Sequence, residues 1–398
     1  METQKSIEQE VFMDLFQQYQ VVDIDTHLTE PPSVWTERMS SKWGTLTPHI
    51  KRIRDFDVWF IGDKGVLRPG GVSMAGFDGT MPDHPLTYED IPKPTYDSSA
   101  RIEYMNDLGI YAQVIYPNLI SMLTQFLLEH EEQTFVLECL QTYNDFLIDW
   151  CSIDKNRLIP VMTLPIWDLE ASIKETNRCI QKGHKAILFP SQPQGFGLPA
   201  LSHTHWDPIW KIAQEAGLPI SFHIGDQEDS ELRFDGSDMG TRTNFARFSS
   251  LMFVENSKGI AEIIFGGVCH RFPELKFVSV ESGAGWIPWL LEAFDWQWLN
   301  SGVSKEHPEF KLLPSEYFKR QIYASFWFEK KMLQSAIEKY PNNMMYETDF
   351  PHATSMSPGP QSTAQAPREY AQEVLSGLKP DHLQKLLHDN AAKLYQID

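Results

Sequence analysis

Eight short apolar runs rich in β-branched residues, amphipathic helical stretches between them, and polar side chains gathered at the ends of several runs predict an α/β chain folded as a (β/α)8 barrel. The runs are VVDIDTH at 21, AQVIYPN at 112, RLIPVMTL at 157, KAILFPS at 185, PISFHIG at 219, KFVSVESG at 276, QIYASFW at 321 and NMMYETDF at 343. Helical stretches at 98–108, 129–152, 169–182, 206–216, 315–318, 330–339 and 381–395 alternate with them. A parallel sheet needs this alternation, because every crossover must carry the chain back to the starting edge of the next strand. The competing arrangement is an open, doubly wound sheet. Against it, no Gly-x-Gly-x-x-Gly follows the first run, where a dinucleotide site would need one.

In chain order, residues 5–19 carry Ile7, Val11, Phe12, Leu15 and Phe16 at helical spacing and predict a short amphipathic helix beneath or beside the barrel. The first strand follows. Alternate residues of a strand share a face, so Asp23, Asp25 and His27 are expected on one side and Val22, Ile24 and Thr26 on the other. Carboxylates and an imidazole at one strand end are half of a cage for a divalent cation. Taken alone, the same letters also fit a strand that stops at a polar loop. Residues 31–97, with Pro31, Pro32, Pro48, Pro69, Pro82, Pro85, Pro92 and Pro94, read as an insertion after the first strand, in which VWFIGDKGVLRP forms a two-stranded ribbon. Its place next to the first strand's C-terminal end predicts that part of it covers a pocket or makes a subunit contact. No linker or repeat divides the chain, so residues 1–398 are expected to form one domain.

Composition narrows the function. An apolar fraction of 42% supports a sizeable core, and a formal charge of −20 argues against nucleic acid or an anionic membrane surface as partner. Cys139, Cys151, Cys179 and Cys269 are widely spaced, which predicts buried thiols of a cytoplasmic protein. The N-terminal segment lacks a signal-like apolar region, and no run approaches about 18 apolar residues. Neither membrane insertion nor export by that route is expected.

Reacting groups of such barrels sit at the C-terminal ends of strands. Here Asp25 and His27 close the first run, His223 closes the fifth, Glu281 the sixth and Asp349 the eighth. Asp349 follows Met344, Met345 and Tyr346, and a carboxylate against so apolar a run is costly to bury without a cation or several donors. An isolated histidine such as His223 is more often a satisfied core residue; its value here comes from its strand-end position.

These residues carry a resemblance. The chain is similar to the amidohydrolase superfamily, in the amidohydrolase-2 branch that holds aminocarboxymuconate-semialdehyde decarboxylase and its relatives, and within it to the group opening DxDxHxxEP, which reads Asp23 to Pro31 here. SFHIGD at 221, FGGVCHRFPELKFVSVESGAGWIPWLLE at 265, YETDFPH at 346 and LLHDNAAKLYQI at 386 extend the match over most of the chain outside 31–97. The resemblance implies a distorted (β/α)8 TIM barrel and one divalent metal, zinc before manganese or iron, held by Asp25, His27, His223 and Asp349. It also implies a small-molecule substrate and a homo-oligomer. Two departures stand out: Asp25 and Glu281 occupy positions where histidine is commoner. No lysine follows Phe189-Pro190-Ser191, so the bridge of two-metal members is absent and a mononuclear site is expected.

A metal with an open position activates water or polarises a substrate oxygen. Glu281, anionic and acceptor-biased, would be a fifth ligand or a general base, and Asp349 a ligand and proton acceptor. That weighting favours hydrolysis, as in the meta-cleavage-product hydrolases of the branch, over non-oxidative decarboxylation of an aromatic or unsaturated acid. A catalytically silent metal-binding barrel is the third reading. His352 either lines the pocket as a donor to a substrate carboxylate or carbonyl, or is a loop histidine bonded to backbone. Trp286, Trp327 and Phe328 follow the sixth and seventh strands and are expected to wall an apolar pocket, although core packing explains them as readily. Glu30, with the proline pair after it, is expected to cap the first βα loop. His203 and His205 precede a helix rather than ending a strand, Ser282 is not in a Gly-x-Ser-x-Gly elbow, and the adjacent Cys269 and His270 are not built as a dyad.

Overall fold

The computed structural model describes residues 14–122, 124–225, 239–353 and 355–397. Eight strands form one sheet in the order β1 (Val21–Leu28), β5 (Ile110–Pro117), β6 (Leu158–Met162), β7 (Ala186–Leu188), β8 (Ile220–His223), β9 (Phe277–Val280), β10 (Ile322–Phe326) and β11 (Met344–Tyr346). Their seven neighbouring pairings are all parallel. The sheet curls into a nearly closed barrel: Thr26 of β1 bridges Phe350, and the His27 amide donates to the Phe350 carbonyl at 2.6 Å. All eight predicted runs are strands, and the fold is the expected (β/α)8 barrel.

The helices begin and end where local chemistry dictates. Asp97 caps Ser98–Leu108 by accepting from the Ala100 amide at 2.8 Å. Gly109 ends that helix at φ +77°, where an added Cβ would meet the Phe16 carbonyl at 3.1 Å. The C-terminal stretch, expected as one helix, is Pro380–Gln384, a π-helical turn Lys385–Asp389 and Asn390–Tyr395. Its Ala391, Leu394 and Tyr395 pack with Val22, Ile24, Val114, Val161 and Val278, so the last helix stoppers the barrel interior. A second, larger apolar layer lies between the barrel's outer face and the helices.

Strand β1 departs from strict alternation. Asp23 pairs with Gln113, yet Thr26 pairs with Ile115, so β1 carries an extra residue, a bulge, in between. Val22 and Ile24 belong to the inner cluster, while Asp23 and Thr26 face the outer layer, where Arg101 donates to Thr26 Oγ1 and Gln113 Oε1. Asp23 bonds Gln113 Nε2 and Thr348 Oγ1. It therefore does not share a face with Asp25, contrary to the expectation from period two. The bulge turns Asp25 and His27 back toward the barrel axis.

The insertion folds as a three-stranded antiparallel sheet, β2 (His49–Ile53), β3 (Phe56–Ile61) and β4 (Lys64–Leu67), one strand more than the expected ribbon. Arg242, at the start of the helix Thr241–Met252, donates to Thr80 Oγ1 and the Met81 carbonyl and pairs with Asp83 at 2.6 Å, tying the insertion to that helix. Of the N-terminal helix, one turn, Leu15–Gln18, is described, with Leu15 and Phe16 buried; Ile7, Val11 and Phe12 lie outside the described residues. All four cysteines are free and buried. Among the described residues no helix is long and apolar enough to cross a membrane.

Candidate metal centre

At the C-terminal mouth of the barrel, one donor atom from each of Asp25, His27, His223 and Glu281 lies within 4.8 Å of every other. His27 Nε2 is 3.0 Å from His223 Nε2, and each of the two is 3.4 Å from Asp25 Oδ1. Glu281 Oε2 stands 3.5 Å from His223 Nε2. Asp349 joins from the other side, its Oδ1 3.7 Å from His27 Nε2, in an overlapping group with His27, Glu281 and His352. Asp25, His27 and His223 of the four expected ligands thus stand in one group with Glu281, and Asp349 stands in the second, overlapping group.

Two observations test whether these residues fit a cation. The first is tautomeric. His27 Nδ1 faces the Pro117 carbonyl at 3.1 Å and His223 Nδ1 the Ile224 carbonyl at 2.8 Å, so each ring spends its proton on backbone and turns a bare Nε2 inward. Two lone pairs at 3.0 Å repel unless something positive, a proton or a metal ion, lies between them. A divalent ion about 2.1 Å from each nitrogen demands about this separation. Second, both side-chain oxygens of Asp25 are buried without a hydrogen-bond partner, which is costly for a carboxylate in the absence of a counter-charge. The donor set fits one divalent cation.

Without a cation, protonation of His223 supplies part of the positive charge the cluster calls for. Burial would raise Asp25, but His223 and His27 hold it well below the usual carboxylate range. Burial would lower His223, but Asp25 and Glu281 carry it up to about 9, whereas burial, reinforced by His352, pushes His27 down to about 4. Asp349 is raised well above an ordinary aspartate by burial and then by Glu281. Burial would lower His352 too; the Asp349 carboxylate, 2.8 Å from its Nδ1, instead raises it well above an ordinary histidine. Glu281 and Asp349 also adopt left-handed φ of +54° and +57°, a strain of roughly 1–3 kcal/mol each that packing must offset.

A cavity of about 100 Å³ opens on the cluster, lined by His27, Tyr116, Asn118, His223, Glu281 and His352 among others. It shares Ile224, Met252, Glu281 and His352 with an outer cavity of about 500 Å³. The insertion supplies one wall of the latter with Val66, Leu67, Arg68, Val72 and Met81, and the helix Thr241–Met252 supplies the other with Phe245, Phe248 and Met252, continued by Phe253. Trp286, Trp327 and Phe328 line neither cavity. Phe328 stacks on Phe253 at 5.0 Å, Trp327 meets it edge-on at 5.3 Å, and Trp286 Nε1 donates to the Ser282 carbonyl, so these rings support the wall from behind.

Several participants escaped the sequence. Arg101, fully buried, donates to the His27 carbonyl at 2.7 Å and so fixes the first-strand rim. Glu347, raised well above an ordinary glutamate by burial and then by Asp25, accepts from the Glu281 amide at 3.2 Å. Asn118 accepts from His352 Nε2 at 2.8 Å. Only Asn118 and Glu347 gave any signal, as polar letters at the ends of AQVIYPN and NMMYETDF. Glu30 caps backbone amides, but those after β5 rather than those of the first strand's own loop: its Oε1 accepts from the amides of Asn118 and Leu119. His203 caps a 3-10 turn away from the centre.

With this geometry in hand, comparison with known proteins gives three consistent results. The family model described as Amidohydrolase matches residues 22–397. A 2-amino-3-carboxymuconate-6-semialdehyde decarboxylase of Dictyostelium discoideum is 23% identical over 273 residues, 66% of this chain and 69% of that protein. Among solved structures, an amidohydrolase from Mycobacterium avium subsp. paratuberculosis K-10 superposes with a TM-score of 0.72 at 19% identity, covering 95% of this chain and 99% of that one. A 5-carboxyvanillate decarboxylase from Novosphingobium aromaticivorans DSM 12444, solved with manganese and 3-methoxy-4-hydroxy-5-nitrobenzoic acid, gives 0.65 at 17% identity over 96% and 98% of the two chains. At such identities the structural matches speak to the fold.

Proposed function

The chain belongs to the amidohydrolase family, and from that premise we propose that it is a metal-dependent, non-oxidative decarboxylase of a small aromatic or conjugated carboxylic acid. The observation that carries the reading is the contact between Asp349 Oδ1 and His352 Nδ1, a carboxyl and an imidazole 2.8 Å apart beside a buried donor cluster and able to pass a proton between them. Decarboxylation replaces a carboxylate on carbon by hydrogen, R–COO⁻ + H⁺ → R–H + CO₂, so each turnover consumes one proton at the vacated carbon. The similarity to a protein named as a decarboxylase supports it.

A divalent ion, held by Asp25, His27 and His223 with Glu281 and Asp349 in reach, would anchor a substrate oxygen and withdraw electron density from the carbon that loses its carboxylate. Three oxygen ligands against two imidazoles suit manganese at least as well as zinc. Phe245, Phe248, Met252 and Phe253 offer an apolar wall to a ring or polyene, and Arg68 brings a guanidinium to an acidic substrate. Asp349 delivers the proton to carbon, and His352 hands it on from Nδ1.

The expectation of hydrolysis rested on Glu281 as a fifth ligand or a general base in place of the commoner histidine. Glu281 Oε2 lies inside the donor cluster, where a carboxylate serves as ligand, and the relatives support decarboxylation better. The test is to incubate manganese-loaded enzyme with carboxyl-¹³C-labelled hydroxybenzoates and muconic-type acids in ²H₂O. The expected result is labelled CO₂ with one deuterium on the vacated carbon. Solvent oxygen in a cleaved acid product without CO₂ would mark a hydrolase, and metal uptake without any turnover a silent barrel.

A further inference from the structure

We infer that Asn118, itself fixed by Glu30, is a positioning residue for the metal centre: it locks the His352 ring so that Nδ1 faces the Asp349 carboxylate. The inference deepens the proposed function and rests on it only for the centre being catalytic. His352 stands in the loop after β11, where no strand neighbour holds its ring. An imidazole anchored along one edge rotates about the bond to its ring; anchored along both edges, it does not. The anchors are Asp349 Oδ1, 2.8 Å from Nδ1, and Asn118 Oδ1, 2.8 Å from Nε2 on the far edge. One face of the ring stacks on His27 at 3.8 Å between centroids and 27° between planes, so a rotated His352 would also displace a candidate ligand.

Asn118 is rigid in turn. It follows the last residue of β5 and is 1% exposed, and its backbone amide and that of Leu119 donate to Glu30 Oε1 at 3.0 and 2.9 Å. Glu30 lies three residues after His27 and is equally buried, so a chain of bonds runs from the first strand's loop across β5 to the eighth strand's loop. Asn118 Nδ2 has no partner among the described residues. Leaving a buried amide donor unmatched costs stability, and the acceptor it presents to His352 is what the residue contributes.

The test reads Mn²⁺ binding to metal-stripped full-length protein by titration calorimetry, so it stands whether or not any acid is decarboxylated. Partners behind a ligand typically tune metal affinity by 10–100-fold. Asn118→Leu, which removes the acceptor, is expected to weaken Mn²⁺ about tenfold, the lower end of that range. Asn118→Asp, which keeps an oxygen there, should stay within about threefold of the parent. In a His352→Phe background, which keeps the stacked ring but no nitrogen, Asn118→Leu should add nothing. Parent-like Mn²⁺ affinity in Asn118→Leu, an equal loss in Asn118→Asp, or an undiminished loss in the His352→Phe background would each overturn the inference. Asn118→Ala runs the same cycle should the leucine variant fail to fold.

Discussion

Two buried clusters in this barrel contain carboxylates and histidine, and they are built in opposite ways. Under β6, between the helices Gln133–Cys151 and Leu169–Lys182, Glu175 accepts from Asn144 Nδ2 at 2.7 Å, Gln141 Nε2 at 3.0 Å, and Arg178 through Nε at 2.8 Å and Nη2 at 2.7 Å. Asn144 also exchanges bonds with the backbone of Thr163, and His184 Nε2 donates to the Asn144 carbonyl at 3.1 Å. Burial would raise Glu175, yet Arg178 and Asn144 hold it below an ordinary glutamate. At the mouth, Asp25 is just as buried but has bare oxygens, and two imidazoles turn their Nε2 atoms toward each other at 3.0 Å. Burial alone thus does not mark a functional site. What separates the two is whether the polar atoms are already satisfied: the first cluster staples helices to strands, and the second is completed by something the chain does not contain.

The same one-atom exchange in each cluster should break the molecule differently. Asp349→Asn, or His223→Ala, is expected to lower kcat/KM at least about 10³-fold, roughly 4 kcal/mol, while urea unfolding of the metal-free protein changes little. A comparable loss of folding stability would put the mouth cluster in the stapling class. Glu175→Gln should do the reverse, destabilising the fold by about 3 kcal/mol because Arg178 and Asn144 lose their shared acceptor, with Mn²⁺ bound at unchanged stoichiometry. An unshifted denaturation midpoint would show that the inner cluster holds nothing together.

The inner cluster also predicts a pH dependence. Burial lowers His184 to about 4 from an ordinary 6.5, outweighing its bond to Asn144. Between those values the unfolded chain binds more protons than the native one, so this contribution is complete above pH 6.5 and is lost as pH falls through about 4. It amounts to roughly 3 kcal/mol. Denaturation curves for wild type and His184→Gln should converge as pH drops from 7 to 4; curves that stay parallel would contradict the assignment. Smallest is chelation: stripping a metal present at 100 times its Kd should cost about 2.7 kcal/mol, restored by Mn²⁺ and absent in His223→Ala.

Much of this was legible in the letters because strand ends and ligand types are local properties. Asp25, His27, His223, Glu281 and Asp349 each close an apolar run, and a barrel brings such ends together by topology alone. The bulge in β1 was not legible, because period two is the default for VVDIDTH and only pairing with β5 reveals the extra residue. HIKRI escaped as a strand because its alternation is masked by charge. Asn118, Arg101 and Glu347 act on residues from other strands, so their roles exist only once the barrel is closed. The tryptophans were placed one layer too close, since proximity in sequence to strand ends does not say which side of Phe253 they occupy.

Diffraction from Mn²⁺-loaded crystals, recorded at the manganese absorption edge, tests the account most directly. A single anomalous peak within about 2.5 Å of Asp25 and of the Nε2 atoms of His27 and His223, missing from His223→Ala, is the predicted result. Manganese sited elsewhere, or a mouth cluster that stays metal-free in fully active protein, would contradict it.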